Sequence, residues 1–299
     1  MELENKLKHL VHSIKAMAPT IDAAAKRIRT TQFKESFNKN DYNSWCQSVT
    51  GEILVKLRLF TEQNLSFIET MSVLTVTRYT FEASVWLKLF ETDPRYGLVY
   101  ASQLIDTQLN HWEDQRKQLV REIHLLNDLD KQQSDWLSEE LLRLETMEDV
   151  EKARSESATV YHRATQMIDN VAARKFSIYA DQAVHLGYST VASMLEAEAM
   201  PQVKASIKAI KKEKASFVSA LPDDIKALAS TPWSWSKMAK FVGMGDEYGY
   251  IYTFTSTLMH ATPASLTTDQ KNLELHEMLI FFKFINIKFL DAIEASEKY

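Results

Sequence analysis

The sequence is poor in the residues that bend a chain. It has only 6 glycines and 6 prolines among 299 residues, well below an average usage of about 7% and 5%. Sheet proteins need frequent turns, and turns depend on these residues. The shortage argues against a sheet-rich fold and predicts an all-α protein, a bundle of long antiparallel helices.

Cysteine is almost absent as well. Because Cys46 is the only cysteine, no internal disulfide can form and no paired-cysteine zinc motif exists. Both features are typical of cytoplasmic proteins, and we expect this localisation. We expect Cys46 itself to behave as a small, buried apolar residue.

Long apolar runs are also missing. The longest, residues 278–290, is interrupted by Lys283, Asn286 and Lys288, whereas a membrane-spanning helix needs about 20 apolar residues. The charged N-terminus lacks the apolar region of a secretory signal. We therefore expect no membrane partner and interpret the run as a buried core helix.

Several catalytic motifs are absent from the sequence: Glu-x-x-His, His-Glu-x-x-His, a Walker loop and Gly-x-Ser-x-Gly. These absences argue against di-iron, zinc-protease, P-loop and serine-hydrolase chemistry. We expect neither a metal nor a cofactor.

The formal net charge of −5 argues against a protein that is basic over its whole surface, as most nucleic-acid-binding domains are. Any contact with nucleic acid has to be local. Lys204, Lys208 and Lys212 share one helix face and are the candidate nucleic-acid-binding residues. RNA is the partner that we expect them to contact. The alternative is that they form an ordinary solvated surface.

Apolar periodicity predicts where the helices lie. We divide the chain into an N-terminal helical segment, a main bundle that carries the motifs below, and a C-terminal helix packing on that bundle, at residues 1–42, 43–267 and 268–299. The longer predicted helices cover approximately residues 2–17, 67–90, 95–128, 130–147 and 148–186, the last of them ended by Gly187.

One polar stripe stands out near the C-terminal third. Tyr248, Tyr252, Ser256 and His260 are each four residues apart, so a helix places them on one face. His260 is predicted at the C-terminal end of that helix, where the dipole favours a protonated imidazole suited to proton transfer. The alternative is a capping histidine whose ring binds a carbonyl.

A second motif lies in a very apolar predicted helix. Arg78 and Glu82 are four residues apart and can form an ion pair along it. In a functional interpretation, Glu82 holds Arg78 in place for a phosphate or carboxylate. In a structural interpretation, the ion pair simply lies at a helix crossing.

Together, Arg-x-x-x-Glu and Tyr-x-x-x-Ser-x-x-x-His resemble the motifs of a bacterial all-helical domain family of unknown function, over about residues 60–265. That family is grouped with HEPN-like domains, many of which are metal-independent ribonucleases of defence and toxin systems. HEPN nucleases carry an arginine shortly before the catalytic histidine. Here Thr253, Phe254 and Thr255 precede His260, so Arg78 is the candidate to supply the guanidinium.

The resemblance implies a HEPN-like ribonuclease, or another nucleic-acid-linked protein, of bacterial defence or stress. His260 would take the 2′-hydroxyl proton, Arg78 would stabilise the phosphate charge, and Tyr252 or Ser256 would position RNA. Glu82 and Tyr248 would have positioning or structural roles.

Two alternatives remain open. One is a non-catalytic helical module that acts through a partner protein or forms a homodimer, and the other is a small-ligand sensor. An enzyme should bring Arg78 and the polar stripe together in an open cleft. A structural protein should bury these side chains and satisfy them mutually.

Overall fold

The computed structural model describes residues 2–65, 68–145, 150–259 and 273–299. These residues are largely helical and include no β-strand, which confirms the predicted all-α fold. The helices are, in chain order, α1 (Glu2–Ala16), α2 (Ala18–Glu35), α3 (Tyr42–Asn64), α4 (Thr70–Thr92), α5 (Tyr96–Glu145), α6 (Val150–Arg174), α7 (Ala180–Leu186), α8 (Tyr188–Met194), α9 (Met200–Ala220), α10 (Asp223–Ser230), α11 (Trp235–Phe241), α12 (Gly245–Glu247), α13 (Thr253–Met259) and α14 (Leu275–Ser296). Two π-helical turns cover Leu195–Ala199 and Tyr248–Tyr252.

The chain forms two compact units. The first comprises residues 1–103 and 217–299, and the second comprises residues 104–216. The division into three segments that we made from the sequence stays a prediction.

The core of the first unit is built around α14. This helix packs against α1 and α4, while α2 packs against α3. Phe282, Ile285 and Phe289 of α14 are buried in the core. The predicted apolar helix over 67–90 corresponds to α4, whose residues from Val73 to Phe90 are mostly buried.

The interpretation of residues 278–290 as a buried core helix is correct for one face only. Ile280, Ile287 and Leu290 are 60%, 54% and 52% exposed, because α14 lies at the surface of its unit. Within the described residues, no helix has both the length and the apolar character that a bilayer span requires.

Residues 95–147 differ from the prediction of two helices, one over residues 95–128 and the other over residues 130–147. Instead, α5 continues without interruption from Tyr96 to Glu145, over 50 residues. The chain has no glycine or proline after Gly97 in this helix, so nothing ends it at the predicted boundary near Asp128.

The predicted single helix over residues 148–186 is divided in two. α6 ends at Arg174 and α7 begins at Ala180, while Gly187, with φ of 91°, ends α7 as predicted. At the break, Phe176 adopts a φ of 52°, which is rare for a bulky residue.

Two residues of α5 fix this break. Arg121 donates a hydrogen bond to the carbonyl oxygen of Lys175. The hydroxyl of Ser177 donates to Glu122 Oε2 at 2.6 Å, and the Glu122 side chain is fully buried. The helix is therefore interrupted by tertiary contacts, without a helix-breaking residue.

Candidate functional site

Arg78 lies on α4, and Glu82 lies one turn later on the same helix. Arg78 Nε donates to Glu82 Oε1 at 3.0 Å, so the predicted ion pair forms. The side chains of Arg78 and Glu82 are 24% and 26% exposed. The carboxylate therefore orients the guanidinium close to solvent, where an ion pair contributes modestly to stability.

Arg78 also contacts two residues of the predicted polar stripe. Its Nη1 donates to Ser256 Oγ at 3.3 Å, and its guanidinium carbon lies 4.5 Å from the centre of the Tyr252 ring. A cation in this position is attracted to the face of an aromatic ring. Three side chains thus fix the guanidinium: a carboxylate, a hydroxyl and a phenol ring.

The tyrosines of the stripe belong to the π-helical turn Tyr248–Tyr252. A π turn contains more residues than an α turn and occurs frequently at functional sites. The rings of Tyr248 and Tyr252 stack with centroids 4.8 Å apart. Burial raises the pKa of Tyr248, the neighbouring Tyr252 raises it further, and Arg78 opposes both. Tyr248 is thus a neutral support for the Tyr252 ring.

His260, the proposed proton acceptor, lies outside the described residues. The helix that leads to it, α13, is anchored by Thr255, which is fully buried. Its hydroxyl donates to the carbonyl oxygen of Ile251 at 2.7 Å. Ser256 therefore projects from a backbone that is fixed immediately before it.

The surroundings of Arg78 combine a feature expected of an enzyme, access to solvent, with one expected of a structural protein, mutual satisfaction of the side chains. Arg78 is mutually satisfied in part, as in a structural ion pair, yet a quarter of its side chain reaches solvent. Among the described residues, no group accepts a hydrogen bond from Arg78 Nη2. This nitrogen can still donate to a phosphate or carboxylate oxygen.

The three candidate lysines lie on α9. Lys204, Lys208 and Lys212 are exposed and make no ion pair with any residue that the structure describes. Their neighbour Lys211 differs, because it binds Glu113 at 2.9 Å. Lys214 likewise binds Asp106 at 2.5 Å. Among the described residues, the positive charges of Lys204, Lys208 and Lys212 therefore have no carboxylate partner, whereas Lys211 and Lys214 each have one.

One aromatic residue beside the site was not identified from the sequence. Tyr250 is 59% exposed, and its ring stacks on Phe254 with centroids 5.5 Å apart. Phe254 in turn stacks on Phe281 of α14 at 5.9 Å. Tyr250 and Phe254 are four residues apart, and this spacing is the one sign in the sequence that their rings stack. It does not distinguish the pair, because the residues of the polar stripe have the same spacing.

The described residues contain no group of three or more His, Cys, Asp or Glu side chains placed to bind a metal ion. In comparisons with known proteins, the chain matches no family model, no curated protein and no solved structure. The resemblance to HEPN-like domains therefore stays a prediction.

Proposed function

We propose that this protein is a HEPN-like, metal-independent ribonuclease of bacterial defence or stress in which Arg78 binds the scissile phosphate. One observation carries the proposal: the guanidinium of Arg78 contacts both Ser256 and Tyr252. These contacts support Arg78 as the arginine that the motif lacks near its own histidine, because Arg78 Nη2 has no acceptor among the described residues and can donate to a phosphate oxygen.

The reaction is transesterification of the RNA backbone. The 2′-oxygen attacks phosphorus to form a 2′,3′-cyclic phosphate, and the bond from phosphorus to the 5′-oxygen breaks, with the leaving 5′-oxygen taking a proton from solvent water. We assign proton removal from the 2′-hydroxyl to His260 and stabilisation of the phosphate charge to Arg78. Ser256 and Tyr252 hold Arg78, and either can also position the sugar. Glu82 orients the guanidinium.

The lysine face of α9 supplies a place for the RNA backbone in this proposal. Lys204, Lys208 and Lys212 are exposed and lack carboxylate partners among the described residues, so each can contact a phosphate. Binding through them should weaken steeply as salt increases, because phosphate contacts release counterions. Replacing all three with Gln should flatten that salt dependence.

The decisive experiment uses purified protein and a labelled RNA that contains both single-stranded and hairpin segments. We expect cleavage by the wild type in the presence of EDTA, and loss of cleavage in His260→Ala and Arg78→Ala. Arg95→Ala is the matched control, because Arg95 forms exposed ion pairs with Asp93 and Asp224. Circular dichroism checks that all variants fold. Cleavage by His260→Ala at the wild-type rate contradicts the proposal.

A non-catalytic helical interaction module is the second candidate. It is favoured by the partial satisfaction of Arg78, whose Nε and Nη1 already have protein acceptors. In that case Arg78→Met, which keeps much of the side-chain volume, should lower stability slightly and leave RNA intact. Retained RNA cleavage that depends on His260 excludes this candidate.

A further inference from the structure

Helix α14 carries large apolar side chains on two opposite faces. One face packs into the core of the first unit through Phe282, Ile285 and Phe289. The opposite face exposes more than half of each of three large aliphatic side chains, Ile280, Ile287 and Leu290. A surface helix normally has polar residues on its outer face, and a helix that is apolar all round is normally buried.

These exposed residues follow the spacing of a helix-pairing seam. Ile280 and Ile287 are seven residues apart. Lys283 follows Ile280 by three residues, and Leu290 follows Ile287 by three residues. This is the heptad spacing with which one helix packs along another. All four side chains are exposed, so the seam is continuous over about three helical turns.

The charged residues on this face can form ion pairs with the same face of a second copy of the chain. Lys283 lies four residues before Ile287, and Asp291 lies four residues after it. Lys283 makes no ion pair within the described part of the chain. Asp291 accepts from Lys288 through Oδ2 at 2.8 Å, and its Oδ1 has no partner among the residues that the structure describes.

Orientation decides whether these charges attract. If two copies of α14 pair antiparallel with Ile287 opposite Ile287, each Lys283 is level with Asp291 of the second copy. Glu294, which is also exposed, then lies one turn away from that lysine. A parallel pairing instead places Lys283 opposite Lys283. Of these two pairings, the antiparallel one brings opposite charges together, and a two-fold axis perpendicular to the helices generates it.

We propose that the outer face of α14 is the interface of an antiparallel, two-fold symmetric dimer of this chain. Ile280, Ile287 and Leu290 are buried against the second copy, and Lys283 pairs with Asp291 of that copy. The dimer does not depend on the proposed ribonuclease activity.

The test is sedimentation velocity of the full chain across a range of micromolar concentrations. We expect a dimer for the wild type and a monomer for Ile287→Asp, because the two-fold axis places both introduced carboxylates together in an apolar seam. Ile178→Asp is the matched control: Ile178 is 51% exposed and lies in the other unit, so this variant should remain dimeric. Circular dichroism checks that both variants fold.

Charge reversal then tests the orientation. Lys283→Glu alone should weaken the dimer at least tenfold, because each new carboxylate meets Asp291 of the second copy. Adding Asp291→Lys in the same chain should restore dimerisation, since the pairs form again with exchanged signs. A monomeric wild type, a dimeric Ile287→Asp, or a double variant weaker than Lys283→Glu each overturns the proposal.

Discussion

Arg78 and Ser256 are 178 residues apart in the sequence, yet their side chains form a hydrogen bond of 3.3 Å. The bond links α4 to α13 within the first unit. Arg78 lies between Glu82 on its own helix and Tyr252 of the π turn. Its position is therefore set by one local contact and two distant ones.

Ser256→Ala should remove the distant hydrogen bond without disturbing the core. We expect a loss of about 0.5–1 kcal/mol in the free energy of unfolding, since the bond involves a charged donor but is partly exposed to solvent. Urea denaturation measures it. In an Arg78→Ala background the same substitution should cost clearly less, because the donor is already gone.

Ser138→Ala is the control for this prediction. Ser138 is exposed on α5, and its hydroxyl donates to the carbonyl oxygen of Ser134 one turn earlier. Alanine has the higher helix propensity, so this variant should be as stable as the wild type or slightly more stable. An equal loss in both variants would mean that the bond from Arg78 to Ser256 contributes nothing.

Phe176→Gly should stabilise the protein. Phe176 has a φ of 52° and is 76% exposed, so its side chain loses little packing while its backbone is strained. The left-handed conformation costs a residue with a Cβ atom about 1–2 kcal/mol, and glycine loses part of this gain to the entropy of the unfolded chain. We expect a net gain of about 0.5–1 kcal/mol in thermal or urea denaturation.

Phe176→Ala separates strain from side-chain effects at the same position. Alanine also lacks the exposed ring but keeps the Cβ atom that opposes a positive φ. It should therefore give none of the stabilisation. If both variants stabilise the protein equally, the gain comes from removal of the exposed ring, and relief of backbone strain does not contribute to it.

Gly97→Ala should destabilise the first unit severely. A Cβ atom on Gly97 would overlap the carbonyl oxygen of Tyr42 and come within 2.9 Å of Cys46 Sγ. Both neighbours lie on α3, so α5 would have to move away from it. We expect a loss of about 2–4 kcal/mol in the free energy of unfolding, as for other overpacked sites.

Gly249→Ala is the matched control for Gly97→Ala. A Cβ atom on Gly249 would meet nothing within 4 Å, and alanine is the better helix former. Its melting temperature should equal or exceed that of the wild type. A similar loss of stability in both variants would show that the close approach of α3 and α5 does not restrict position 97.

Cys46 should be unreactive in the folded protein. Burial raises the pKa of its thiol from the ordinary value of 9.0 to about 12, and only the thiolate reacts rapidly with iodoacetamide. At pH 8 we expect alkylation only after unfolding in urea. Alkylation of the folded protein at the rate of the unfolded chain would contradict the burial of Cys46.

The same shift predicts a dependence of stability on pH. Because the folded state has the higher thiol pKa, it binds the proton more tightly than the unfolded state. This contribution is fully present below about pH 9 and is lost as the pH rises towards 12. The stability advantage of the wild type over Cys46→Ala should therefore shrink above about pH 9, as urea denaturation across the pH range can measure.

The sequence by itself determined the helical class and the contacts within single helices. The scarcity of glycine and proline left few ways to end a helix, and apolar periodicity predicted α1 and α4 to within a few residues. The ion pair between Arg78 and Glu82 could be predicted because residues four apart are neighbours on any α-helix.

Only the tertiary structure decided where that regularity is interrupted and which helices meet. The break at Phe176 depends on Arg121 and Glu122, more than 50 residues earlier, and no helix-breaking residue marks it. The resemblance suggested Arg78 as partner of the polar stripe, but the contact with Ser256 arises from the packing of α13 on α4. Local propensity is encoded in neighbouring residues, whereas such contacts depend on the burial of the whole core.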